Sequence, residues 1–222
     1  MSKIESHKRV HDMLLGSLER PLLQWFCARM PLWVNSDILT GVGVYGSVLV
    51  FFSYWLTYND KGFLWLASLG FFINWFGDSL DGTLARYRKV ERPKYGFFVD
   101  HTVDSLSVVL IFVGLGLSPY VRLEIAALAC IGYLLVSILA YINAFVSGEF
   151  KISYARIGPT EMRLIAVLAN TTIFFLGNPK MSFVFGSTSV FNLFVAIVGI
   201  ILFVAFIVIT FTEAVKWSKS DP

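Results

Sequence analysis

The chain has 222 residues, 56% of them apolar, with a mean hydropathy of +0.70 and a net charge of +3. That composition excludes an ordinary soluble domain and describes a membrane protein, with no nucleic-acid partner expected. Cys27 and Cys130 are too few for a disulfide framework and lack metal-ligand spacing, so both read as small apolar fillers.

The fold class expected is an all-α integral membrane protein, with six transmembrane helices preceded by an N-terminal amphipathic interfacial helix. Residues 1–36 form that interfacial segment and residues 37–217 the six-helix membrane domain. In the first segment Val10, Met13, Leu14 and Leu18 fall at helical spacing opposite Lys8, Arg9, Asp12 and Glu19, with breaks at Pro21 and Pro31. His7 and His11, four apart, read as polar-face residues rather than a metal pair. The first long apolar run starts only near Ile38, so no cleaved signal peptide is expected.

Six apolar runs follow at 37–57, 62–88, 94–117, 122–147, 161–177 and 189–215. A spanning helix needs about 20 residues, and these runs supply them. Thr40, Gly41, Gly43, Gly46 and Ser47 give the first run a small face, the usual sign of close helix packing. With the N-terminus in the cytoplasm, only Lys61, Arg122 and Lys180 of the 18 cations fall outside, a decisive positive-inside bias. Both termini and the basic 86–94 and 148–163 loops are therefore expected to be cytoplasmic.

Asp78 and Asp81 interrupt the second run and Asp100 and Asp104 the third. A charge inside a spanning helix costs several kcal/mol, roughly 3 at its centre on insertion scales, so each is a candidate functional group. A lone carboxylate is as readily a structural partner of Arg86, Arg88 or Lys94; four converging ones are not. At 100° per residue, Asp78, Asp81, Gly82 and Ala85 share one stripe, and Gly96, Asp100 and Asp104 share another. From the turn near residue 90, Asp81 lies about 13 Å deep and Asp104 about 20 Å. An antiparallel pair would gather all four in a shallow pocket open to the cytoplasm. So many carboxylates need compensating charge, and two divalent cations supply it. All-oxygen donors suit Mg2+ or Mn2+, whose shells are often completed by phosphate oxygens, and Arg86 lies one turn toward the cytoplasm to meet a phosphate. His101 lies off the stripe and reads as structural or outer-shell.

The string Asp78-Ser-Leu-Asp81-Gly82-Thr-Leu-Ala85-Arg86, nine residues, Gly96-Phe-Phe-Val-Asp100-His-Thr-Val-Asp104 resembles the signature of the CDP-alcohol phosphotransferases, also called CDP-alcohol phosphatidyltransferases, at all eight of its fixed positions. The resemblance implies a phospholipid-biosynthetic enzyme, a homodimer of six-helix protomers with two magnesium ions per protomer. It implies metal ligation by Asp78, Asp81 and Asp100. Asp104 is implied as the general base, touching metal as well. Asp78, Gly82, Ala85, Arg86 and Gly96 resemble the residues that bind the CDP moiety.

Phe98-Val-Asp100-His101-Thr-Val-Asp104-Ser105 looks like the choline and ethanolamine branch, as do Thr40-Gly-Val-Gly43 and Gly158-Pro-Thr-Glu161. The minimal length resembles prokaryotic relatives that move phosphatidyl from CDP-diacylglycerol to a small polar alcohol, and that direction is preferred here. Arg156, Glu161 and Arg163 are the acceptor-binding candidates on the cytoplasmic rim, where the basic pair could hold an acceptor phosphate. Against this stands a positive-inside loop whose glutamate caps a helix. A divalent-cation channel or carrier would also place acids in spanning helices. Such a protein needs neither the glycines nor Arg86, and the outer stretches 62–73 and 106–117 are almost wholly apolar.

Overall fold

The computed structural model describes residues 15–147, 158–183 and 186–220. Among these residues seven helices run in order: α1 (Gly16–Arg29), α2 (Ser36–Leu56), α3 (Phe63–Arg88), α4 (Pro93–Gly116), α5 (Leu123–Ser147), α6 (Pro159–Leu176) and α7 (Val190–Ser220). Between α6 and α7 stands a small antiparallel hairpin, β1 (Lys180–Phe183) with β2 (Gly186–Ser189), in register Lys180 with Ser189. The all-helical expectation did not include it. Asn178 Nδ2 and Ser189 Oγ, just outside and at the end of the hairpin, both donate to the Tyr120 carbonyl and tie it to the α4–α5 link.

Helix ends follow local chemistry. Asn35 Oδ1 accepts from the Ile38 amide and caps α2. Lys89 closes α3 in the left-handed region at φ 57°, and Pro93 opens α4 at a first-turn position where its missing N–H leaves nothing unpaired. Gly158 and Pro159 start α6 as the sequence suggests, with Glu161 Oε2 accepting from the Gly158 amide at 2.9 Å.

The interfacial segment departs from expectation in two ways. Pro21 does not break it: α1 runs through Pro21, and the carbonyl left without a partner is that of Ser17, on the exposed first turn where water can reach it. The faces are also assigned differently. Leu18 is 73% exposed and shares an outward stripe with Leu22 and Trp25, whereas Glu19 turns inward with Leu23 and Cys27. The helix is apolar on both sides, and the face that buries is the one whose carboxylate finds donors. Val10, Met13 and Leu14, with His7 and His11, lie outside the described residues.

The core is built on α2, which packs against both α3 and α4. Small residues allow this closeness: a Cβ at Gly46 would sit 2.8 Å from the Asn74 Cα, and one at Gly114 of α4 would sit 2.7 Å from the Phe51 Cα. The small face of α2 is a packing face as expected, though Gly41 meets open space. Leu23, Cys27, Val34, Leu39, Leu80 and Leu84 close one apolar cluster beneath α1, and Val50, Tyr54, Leu64, Phe71 and Ile173 close another between α2, α3 and α6.

Arg88 organises the link from α1 to α2, donating to the carbonyls of Met30, Pro31 and Val34. Arg88→Ala is expected to cost about 2 kcal/mol, since hydrogen bonds to a charged donor contribute more than neutral ones. A thermal melt in detergent reads this as a lowered Tm.

Among the described residues, four helices are long and apolar enough to cross a membrane: Ser36–Leu56, Pro93–Gly116, Leu123–Ser147 and Val190–Lys219. The chain is thus multi-pass. Within the long α3 lie Asn74, Asp78 and Asp81, the polar residues that depress its hydropathy. The exposed faces of α7, with Ile200, Ile201, Val204 and Val208, match what lipid-facing helices present.

Candidate active site

Thr40 and Gly43 of α2, Asn74, Asp78 and Asp81 of α3, and Asp100, Val103, Asp104 and Ser107 of α4 line one cleft. The two acidic stripes do meet across it. They do so without the direct antiparallel packing that helical phase suggests: α3 and α4 hardly approach one another, and α2 supports both. With the pair set over a third helix, the stripes face each other across a small cleft.

Asp78, Asp100 and Asp104 each offer a carboxylate oxygen within 4.8 Å of the others, the one such acidic, histidine or cysteine group among the described residues. Three hard oxygen donors at that spacing fit a divalent cation of the magnesium or manganese kind. Asp81 lines the same cleft but stands outside that trio. It is 8% exposed, its Oδ2 accepts from Thr40 Oγ1 at 2.7 Å and its Oδ1 accepts from the Gly82 amide. Each oxygen keeps a lone pair.

Arg163 reaches further in than expected. Its Nη2 donates to Asp78 Oδ2 at 2.6 Å and its Nε to Asn74 Oδ1 at 2.7 Å, with the side chains of Arg163 and Asp78 14% and 19% exposed. A candidate for the cytoplasmic rim is instead a counter-charge within the carboxylate cluster. Glu161 is 7% exposed and accepts from the Leu15 and Gly158 amides, so it performs the capping role weighed against acceptor binding. Arg156 lies outside the described residues. Gly82, Ala85, Arg86 and Gly96 are not among the residues lining the cleft. Arg86 is exposed and donates to Thr83 Oγ1, folding its guanidinium back over Gly82, while the position a Gly96 side chain would take is open space. His101 lies beside Asp100, its Nδ1 3.8 Å from Asp100 Oδ2, stacked on Tyr141 and edge-on to Phe97. That packing agrees with an outer position.

Sequence reasoning missed Asn74. It is 2% exposed, donates from Nδ2 to the Gly43 carbonyl and to Ser47 Oγ, and accepts from Arg163. The signal was present: Asn74 stands one turn before Asp78 on the same stripe, an amide in an otherwise apolar helix.

The CDP-alcohol phosphatidyltransferase family model matches residues 33–217, most of the chain and all of the cleft. The chain belongs to the CDP-alcohol phosphatidyltransferase family. Cholinephosphotransferase 1 of Xenopus laevis is 32% identical over 133 residues, 55% of this chain and 32% of that protein. Cholinephosphotransferase 1 of Mus musculus is 28% identical over 183 residues, 76% of this chain and 44% of that one. A phosphatidylinositol phosphate synthase of Cutibacterium acnes is 30% identical over 114 residues, 50% of this chain and 53% of its own length. The chain of this CDP-alcohol phosphatidyltransferase family member thus spans between about a third and about a half of these curated relatives.

Proposed function

We propose that this protein is a phospholipid-biosynthetic transferase that moves a phosphoalcohol group from a CDP-linked donor to an alcohol hydroxyl and releases CMP. The observation carrying this is the convergence of Asp78, Asp100 and Asp104 within 4.8 Å, with Asp81 in the same cleft, in a chain matched by the family model.

Asp78, Asp81 and Asp100 would hold Mg2+ or Mn2+, two ions per protomer, with Asp104 also in reach. The ions supply Lewis-acid neutralisation of the pyrophosphate charge. The chain's own groups do the rest. Asp104 takes the proton from the acceptor hydroxyl, the hydroxyl oxygen forms its bond to the phosphorus distal to cytidine, and the bond from that phosphorus to the CMP oxygen breaks. Gly82, Ala85 and Gly96 would receive the CDP moiety beside the cleft, with Arg86 swinging off Gly82 to meet its phosphates. Asn74 and Arg163 hold Asp78. Six helices, α2 to α7, cross the bilayer, α1 lies in the cytoplasmic interface, and both termini and the cleft face the cytoplasm. The working unit is a homodimer.

Two donors are in contention. The sequence favours CDP-diacylglycerol with a small polar alcohol. With Arg163 engaged by Asp78, however, the basic pair proposed for an acceptor phosphate loses one member. That observation, with cholinephosphotransferases among the relatives, favours a second reading in which CDP-choline or CDP-ethanolamine donates to diacylglycerol. Purified protein is expected to release CMP from one of these donors only with Mg2+ or Mn2+, and a donor and acceptor panel followed by lipid mass analysis tells them apart. CMP release that persists in EDTA would sink the metal-dependent mechanism. A CDP-independent divalent-cation flux in vesicles would favour the channel alternative.

A further inference from the structure

Glu19 takes no part in the transfer just described, yet its carboxylate is the most heavily used acceptor on α1. Its Oε1 accepts from Trp75 Nε1 at 2.7 Å and Ser79 Oγ at 3.0 Å, both on α3, and from Thr160 Oγ1 at 3.1 Å on α6. The contact is returned, because Glu161 Oε1 of α6 accepts from the Leu15 amide at the start of α1 at 3.0 Å. Two carboxylates, one from each element, therefore clasp α1 to the head of α6.

The partners of Glu19 all neighbour the site. Trp75 and Ser79 directly follow Asn74 and Asp78 on α3, and Thr160 lies three residues before Arg163, on the same face of α6. Arg163 bridges α6 to Asn74 and Asp78 on the cleft side of α3, and Glu19 bridges the same two helices about a quarter-turn round. Docking of α1 alone does not call for this. Leu23 and Cys27 already bury against Leu80 and Leu84.

We propose that Glu19 is a positioning residue for the metal site: by joining Ser79 to Thr160 it fixes α6 against α3 so that Arg163 reaches Asp78 and orients its carboxylate. The interfacial helix is then a working part of the site rather than only an anchor. This rests on the metal reading above, and its test reads metal binding rather than turnover.

Mn2+ binding to the full chain in detergent is measured from the loss of the free-ion electron paramagnetic resonance signal, beside a melting curve for each variant. Glu19→Ala weakens Mn2+ binding about tenfold, as loss of an outer support commonly does. Glu19→Gln keeps an acceptor oxygen and restores most of the affinity. Leu23→Ala loosens the same helix by a cavity, lowering Tm with Mn2+ affinity unchanged. Unchanged Mn2+ affinity in Glu19→Ala overturns the proposal, as does an equal loss in Leu23→Ala. Should Glu19→Ala not fold, Thr160→Val removes only the α6 donor: weaker binding supports the coupling and unchanged binding overturns it. Wild-type protein that binds no Mn2+ overturns the metal reading itself, and this inference with it.

Discussion

Asp104→Asn is expected to lower CMP release by about 1,000-fold, within the range that removal of a general base produces. The substitution keeps size and shape while removing both the ability to take up a proton and the negative charge. Asp104 is nonetheless one of the three carboxylates that converge within 4.8 Å, so it also contributes charge to the cluster. The two roles separate experimentally. As the base, Asp104→Asn leaves the donor KM and the metal half-saturation close to wild type and loses kcat. As chiefly a ligand, it would instead show turnover recovered at high metal concentration. Single-turnover CMP release across a Mg2+ titration decides between them, and recovery of more than half the wild-type rate at saturating metal would remove Asp104 as the base. Asp81→Asn is a useful contrast, because Asp81 stands outside the trio and is held by Thr40. Its loss is expected to show mainly in the metal and donor dependence.

The helices were legible because a bilayer leaves little choice: apolar runs of the right length must satisfy their own backbone, and α2, α4, α5 and α7 begin and end within a few residues of the runs that suggested them. The four aspartates were legible for the converse reason, since charge in such a run needs a purpose. What periodicity cannot supply is which face meets which. Arg163 and Asp78 lie 85 residues apart, and Glu19 and Thr160 lie 141 apart. The phase of α6 alone leaves Arg163 equally suited to a rim or to the cleft, and the phase of α1 placed Glu19 on the outer face. The support of α3 and α4 by α2, rather than by each other, was hidden in the same way. Its one clue was the row of small residues on α2, which announces a close neighbour without naming it.

The glycine of α3 that faces that row carries the second large expectation. Gly77→Ala is predicted to destabilise the protein by about 3 kcal/mol, the upper end for overpacking a well-filled contact, and to abolish detectable CMP release. A Cβ at Gly77 would fall 2.5 Å from the Leu39 carbonyl oxygen and 2.7 Å from the Gly43 Cα. Both are backbone atoms of α2, and neither can rotate aside, so the two helices must part. The separation acts on the cleft directly: Asp78 is the next residue, and one turn back Asn74 loses its bonds to the Gly43 carbonyl and Ser47. With Asn74 displaced, the Nε of Arg163 loses its acceptor, and the carboxylate it holds is no longer fixed. Gly41→Ala is the matched control, since a Cβ there meets nothing within 4 Å and alanine favours a helix over glycine by about 1 kcal/mol. Tm in detergent should fall sharply for Gly77→Ala and hold or rise for Gly41→Ala, with activity following the first and not the second. Equal melting temperatures for the two variants would mean that α2 and α3 do not meet at Gly43 and Gly77, and that the cleft is not framed by their contact.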